Sequence, residues 1–144
     1  MMVGAGEGRG RGRGGPLPRR WLETPRVSVS LIGNRFLAFK TPLDNKFDGQ
    51  IPVEDRFTPD MLFQLMKDLQ VKIGLWIDLT YTQRFYNKQL VEDNDCKYVK
   101  LRCKGFHETP PPESVRRFVQ ICKDYIAKNP LGIIGVHCTH GFNR

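Results

Sequence analysis

Long apolar runs are missing from this sequence. No stretch of about 18 apolar residues occurs in it, so no segment is built to cross a bilayer as a helix. The N-terminus lacks the apolar core of a secretory signal. Cysteine is sparse: Cys96, Cys103, Cys122 and Cys138 show no C-x-x-C or similar ligand spacing, which argues against a cysteine-built metal site. Without a secretory signal they read as reduced thiols of a cytosolic or nuclear protein. Acid is in short supply, 15 Asp and Glu against 23 Lys and Arg, for a net charge of +8. That balance favours polyanionic partners, nucleic acid first and an anionic membrane surface second.

The charge is uneven. Residues 1–20 hold five arginines (Arg9, Arg11, Arg13, Arg19, Arg20) against the single acid Glu7. Residues 1–18, "MMVGAGEGRGRGRGGPLP", cannot bury enough apolar area to offset their ordering entropy, so a disordered Arg-Gly-rich tail is expected. Such tails bind RNA through phosphate contacts and guanidinium stacking. A solubilising tail without a specific partner is the plainer reading.

What is present beyond the tail has a globular profile, 40% hydrophobic and 26% charged residues over the whole chain. One domain portion is expected over 19–144. "RFLAFKTPL" (35–43), "GLWIDL" (74–79), "KYVKLRC" (97–103) and "GIIGVH" (132–137) have strand composition. "TPDMLFQLMKDLQ" (58–70) opens with helix-start chemistry, a capping Thr58 before Pro59 and Asp60, and then spaces Leu62, Leu65, Met66 and Leu69 helically. "TPPPESVRRFVQICKDYIAK" (109–128) carries a second helical stripe of Val115, Phe118, Val119, Cys122, Tyr125 and Ile126. Strands alternating with helices predict an α/β domain with a mainly parallel central sheet. In such sheets ligands bind beyond the C-terminal strand ends, and Cys138 and Asp78 both fall at such ends.

The last residues, "HCTHGFNR", read as a phosphate site. After an apolar strand, Cys138 is followed by five residues (Thr139, His140, Gly141, Phe142, Asn143) and then Arg144. A loop of that length can turn its backbone N–H groups inward as an anion nest, with Gly141 permitting the close curl. Arg144 offers a planar fork to two phosphate oxygens. Cys138 at the base, facing inward dipoles and a cation, is expected to favour thiolate and to attack the phosphorus. His137 orients the loop by hydrogen bonds rather than acting as a base. The competing reading is a buried structural cysteine before an ordinary loop.

"VHCTHGFNR" resembles the His-Cys-x-x-Gly-x-x-Arg signature of the cysteine-dependent phosphatases, and "CTHGFNR" looks like their RNA 5′-triphosphatase branch. The resemblance covers about residues 18–144. "RFLAFKTPL", "FTPDMLF" and above all "IDLTYTQRFY" (77–86) look like the nuclear RNA-interacting dual-specificity phosphatases. "LRCKGFHE" (101–108) and Phe142 look more like the triphosphatase domain of animal mRNA capping enzymes. The resemblance implies a dual-specificity-phosphatase fold and removal of terminal phosphates from RNA 5′ ends through a phosphocysteine, with no metal and no cofactor. It also implies a nuclear location, with RNA 5′ ends as partners and ribonucleoprotein complexes as further partners through the tail.

Other residues are weaker candidates. Protein phosphatases of this superfamily carry an Asp general acid upstream of the nucleophile, and "CKGFHETPPPE" contains none, leaving His107, Glu108 and Glu113. A phenol leaving group has a pKa of about 10 and needs a proton; a phosphate group, with pKa about 6, departs without one. The missing Asp is therefore consistent with a phosphoanhydride substrate. Asp78 is expected either to stabilise the floor of the site or to cap the turn "DLTYT". Arg84, Lys100, Arg102 and Lys104 are candidate RNA-facing cations, and Tyr81, Phe85, Tyr86 and Phe106 candidate base-stacking rings. The family motif continues with Ser or Thr and a helix that supports the phosphate loop, so the chain is expected to be a fragment lacking C-terminal helices and nearly inactive alone. A protein tyrosine or dual-specificity phosphatase, and a non-catalytic RNA-binding module, are the alternative functions.

Overall fold

In the computed structural model, residues 14–28, 30–103 and 110–140 are described. Strand β1 (Phe36–Lys40) leads through turns to helix α1 (Pro59–Asp68), strand β2 (Ile73–Asp78), the short helix α2 (Gln89–Glu92), strand β3 (Lys97–Lys100), helix α3 (Pro112–Lys128) and strand β4 (Ile133–Cys138). The four strands form one parallel sheet in the order β1–β4–β2–β3.

Local chemistry explains the helices. The Thr58 hydroxyl accepts from the Met61 N–H and Pro59 takes the first helical position, so α1 starts where its sequence signals. α3 begins at Pro112, the last proline of its run, which spares the helix interior.

Parallel crossovers are right-handed, so connections running in opposite directions along the sheet cover opposite faces. The core divides accordingly. Leu62 and Met66 of α1 and Val91 of α2 pack with Phe39, Ile73 and Trp76 on one face. Cys122, Phe118 and Ile121 of α3 pack with Leu75, Ile77, Ile134 and Cys138 on the other. Gly74 and Gly132 lie against the Tyr125 phenol, and a Cβ at either would overlap it.

The α3 stripe is only partly used. Cys122 is buried, whereas Val115 and Val119 stay largely exposed. Beside them, Phe36, Phe118 and Val136 line an apolar groove of about 620 Å³ that reaches Cys138. α1 shows the same economy: Leu62 and Met66 are buried, Leu65 and Leu69 exposed.

Two features lay beyond the sequence reading. One is α2. The other is an N-terminal strap, described from Gly14 on, whose first residues fall within the span read as tail. Leu17 packs on the core and Trp21 is buried within it. Among the described residues no helix is long and apolar enough to cross a membrane, and no group of three His, Cys, Asp or Glu is placed to hold a metal ion.

Candidate active site

Register gathers the site. Lys40 pairs with Cys138, and Asp78 pairs with both His137 and Lys100. The C-terminal ends of all four strands therefore form one edge, where a parallel sheet presents its ligand site. Pairing continues past the strands: the Thr41 N–H donates to the Thr139 carbonyl at 3.1 Å, which fixes the first residue after the cysteine.

Alternation along β4 sends Cys138 and His137 to opposite faces. Cys138 packs in the α3-side core. His137, 1% exposed, sits among the Phe39, Trp76 and Tyr86 rings at centroid distances of 5.2, 5.8 and 5.6 Å. Its Nδ1 lies 3.2 Å from the Cys138 carbonyl oxygen. A carbonyl only accepts, so Nδ1 carries a hydrogen. Nε2 lies 2.6 Å from the Tyr86 hydroxyl and 3.6 Å from Asp78 Oδ1. His137 is thus held at both ring nitrogens, beside the Cys138 backbone.

Asp78 is the hub behind it. Its carboxylate accepts from the Thr80 N–H (2.9 Å) and hydroxyl (2.6 Å), the Tyr86 hydroxyl (3.2 Å), the Tyr98 hydroxyl (2.5 Å) and Lys100 Nζ (3.2 Å). Burial by itself would raise its pKa. The charge His137 can carry, the hydrogen bonds from Thr80 and Tyr98, and the Lys100 ammonium outweigh burial and hold it below the ordinary carboxylate value. Burial and the nearby carboxylate push Tyr86 and Tyr98 upward, so both stay neutral donors. Asp78 therefore caps the turn that follows β2 and ties it to β3 and to Tyr86.

This network corrects several assignments from sequence. Lys100 turns inward to Asp78, the Thr80 hydroxyl (2.9 Å) and the Thr82 carbonyl (2.6 Å) rather than out toward RNA. Phe85 and Tyr86 are buried, and Tyr81 keeps an exposed ring. Arg84 donates to the Gly14 carbonyl at 2.7 Å and lies over the Phe85 ring at 4.7 Å. Glu113 pairs with Arg116 on the exposed first turn of α3. Gly141, Phe142, Asn143 and Arg144, and likewise Lys104, Phe106, His107 and Glu108, lie outside the described residues, as does the Arg-Gly run. The roles of Tyr98 and Thr80 were missed. Thr80, two residues after Asp78, is a readable turn signal; nothing in the sequence says that Tyr98 meets Asp78 across a strand pair.

Burial pushes the Cys96 thiol up to about 12 and the Cys122 thiol up to about 11. Tyr86→Phe tests the brace. Its hydroxyl also accepts from Trp76 Nε1 at 2.9 Å, so the change strips partners from three buried groups. A stability loss of about 1–3 kcal/mol in urea denaturation is expected, with an altered pH–rate profile. An unchanged profile would remove Tyr86 from the site.

The comparisons agree with this architecture. No family model matches the chain. An mRNA-capping enzyme of Danio rerio is 47% identical over 127 residues, 88% of this chain and 21% of that protein. An RNA/RNP complex-1-interacting phosphatase homolog of Caenorhabditis elegans is 42% identical over 132 residues, 89% of this chain and 57% of that protein. The chain thus spans only part of the length of these relatives. The crystal structure of a mutant form of Tk-PTP superposes with a TM-score of 0.57 at 12% identity, covering 84% of this chain and 63% of that one, and so shares the fold. Over nearly nine-tenths of its length the chain is homologous to parts of mRNA-capping enzymes and RNA/RNP complex-1-interacting phosphatases, and it shares its parallel α/β fold with Tk-PTP.

Proposed function

We propose that this chain carries the nucleophile-bearing part of a nuclear phosphatase that removes terminal phosphates from RNA 5′ ends. The observation that supports this most is the signature cysteine at the C-terminal end of β4, with His137 behind it held at both ring nitrogens. Cys138 Sγ attacks the γ-phosphorus, an S–P bond forms, and the bond to the β-phosphate oxygen breaks. The RNA diphosphate leaves as an anion, its low pKa making a donated proton unnecessary. Water then cleaves the phosphocysteine and releases phosphate. Arg144 and the loop N–H groups stabilise the transferring phosphoryl group.

The assay is phosphate release from triphosphorylated RNA, with a phosphotyrosine peptide alongside. It is run with the 144 residues and with the chain prolonged by the stretch its longer relatives carry. RNA turnover is expected to exceed peptide turnover by about a hundredfold or more, the scale on which a missing general acid penalises a phenol leaving group. The reverse preference would overturn the RNA reading. The count of phosphates released per 5′ end separates a reaction that stops at the diphosphate from one that continues to the monophosphate.

A further inference from the structure

The strap is fastened to β1. The Ser28 N–H donates to the Ala38 carbonyl at 2.8 Å and the Lys40 N–H to the Arg26 carbonyl at 3.1 Å. Lys40, 3% exposed, donates from Nζ to the Trp21 and Thr24 carbonyls at 2.9 and 2.8 Å, and its ammonium lies 3.6 Å from the centre of the Trp21 ring. An ammonium buried that deeply needs its charge met, and carbonyl oxygens and an indole face meet it here. The Trp21 ring, itself buried, is held from both sides.

Two links run from this fastening to the residues that follow Cys138. The first passes through the buried Thr41. Its carbonyl accepts from the Trp21 indole N–H at 2.8 Å, and its N–H donates to the Thr139 carbonyl at 3.1 Å. A buried indole N–H needs some acceptor; the acceptor used belongs to the residue that holds Thr139. The second link is direct: His140 donates from Nε2 to the Arg19 carbonyl. A carbonyl only accepts, so Nε2 carries a hydrogen. The peptide between Arg19 and Arg20 is set by Arg20, whose φ of +62° lies in the left-handed region. That conformation is unfavourable for a residue with a side chain and persists only where its surroundings impose it. The neighbouring Trp21 supplies that anchor.

We propose that Trp21 and His140 are positioning residues, which fix the course of the backbone as it leaves Cys138 and so set the phosphate loop that starts there. This rests on the reading of Cys138 as the nucleophile. Neither side chain touches the substrate in this role. Trp21 acts through Thr41 on Thr139, and His140 ties its own backbone to Arg19. Stabilisation of a transferring phosphoryl group works only when the groups around it are set in advance. A misplacement of about 1 Å costs up to about a hundredfold in rate. The first two residues after Cys138 are therefore where a support has most effect, and both are tied to the β1 side of the sheet.

The test measures kcat and KM for phosphate release from triphosphorylated RNA, inhibition by orthovanadate, and urea stability. It is run in whichever of the two forms, the 144 residues or the prolonged chain, turns over faster. The unaltered chain is compared with Trp21→Phe, His140→Leu and His140→Gln. Trp21→Phe keeps a ring in the core and removes the N–H. His140→Leu removes the link to Arg19, and His140→Gln puts an amide N–H the same number of bonds from the backbone. Trp21→Phe and His140→Leu are each expected to lower kcat about tenfold, with KM within about twofold, and to weaken orthovanadate by a similar factor to kcat. His140→Gln is expected to recover most of the loss. Because His140 lies outside the core clusters, its variants decide the matter even if Trp21→Phe fails to fold. If kcat and orthovanadate inhibition hold while urea stability drops, the strap merely stabilises the fold; the proposal then fails and the reading of Cys138 stands. A Gln variant as impaired as the Leu variant would overturn the role given to His140. If the unaltered chain turns over only the phosphotyrosine peptide, the RNA reading fails, and the same comparison on the peptide decides the strap. Activity surviving in Cys138→Ser would sink both.

Discussion

Cys138→Ser is expected to reduce phosphate release by about 10⁴-fold or more, the scale on which loss of a catalytic nucleophile acts. The physical reason is ionisation. A thiolate is the attacking species at cysteine sites and a serine hydroxyl ionises far less readily; among the described residues His137 is not placed to take its proton, because it projects to the opposite face of β4 and is tied to Tyr86 and to the Cys138 carbonyl. Ser is close to Cys in size, so little packing changes. Cys138 is 4% exposed, and a hydroxyl there costs about 1 kcal/mol in urea denaturation. Binding of triphosphorylated RNA should survive, because the loop N–H groups and Arg144 are untouched. Activity retained at more than a few per cent would mean that Cys138 is not the nucleophile.

Asp78→Ala is expected to cost about 3–5 kcal/mol of stability, the penalty for breaking a buried ion pair and leaving its partner uncompensated. Lys100, with 13% of its side chain exposed, would lose its carboxylate, and the Tyr86 and Tyr98 hydroxyls would lose an acceptor. For a domain of ordinary stability, about 5–15 kcal/mol, that is a large share. Asp78→Asn keeps the shape and some hydrogen bonds but not the charge, and should fall between the two. The sign of the acid response follows from the lowered pKa. The folded carboxyl holds its proton less tightly than the unfolded one, so its contribution is complete above the unfolded value near 3.8 and is lost as pH falls through the folded value. Denaturation midpoints of the unaltered chain and Asp78→Asn should therefore converge in acid below about pH 3.8 and diverge above it. Parallel curves would show that the Asp78 charge does not stabilise the fold. Activity should fall as well in Asp78→Ala, because His137 loses part of its brace.

The ease of reading differed by element, for physical reasons. α1 announces itself because its signals are local: a capping Thr58, Pro59 in the first turn and apolar residues one turn apart. The strands β2 and β4 are apolar on both faces, as burial between helices requires, and both stand out in the sequence. α2 has four residues and no apolar repeat; its position comes from Val91 finding the core. The α3 stripe is legible as a helix, but which of its residues are buried depends on what packs against it, and only Cys122 is buried.

The candidate site divides in the same way. The order Cys138, five residues, Arg144 is contiguous in the chain, so a loop chemistry that depends on sequence spacing is visible before any fold is known. With the neighbouring His137, that spacing carries the proposed chemistry, while the alternation of strands and helices determined the parallel α/β architecture. Tertiary structure decided the rest. Asp78, Tyr86, Tyr98, Lys100 and His137 come from three strands and a loop, and only the parallel register brings them to one carboxylate. The strap that carries Gly14 to Arg84 and Arg19 to His140 spans contacts 70 and 121 residues apart in sequence. No local pattern encodes such pairings, because they are set by strand order and by which residues the closed core leaves at its edge.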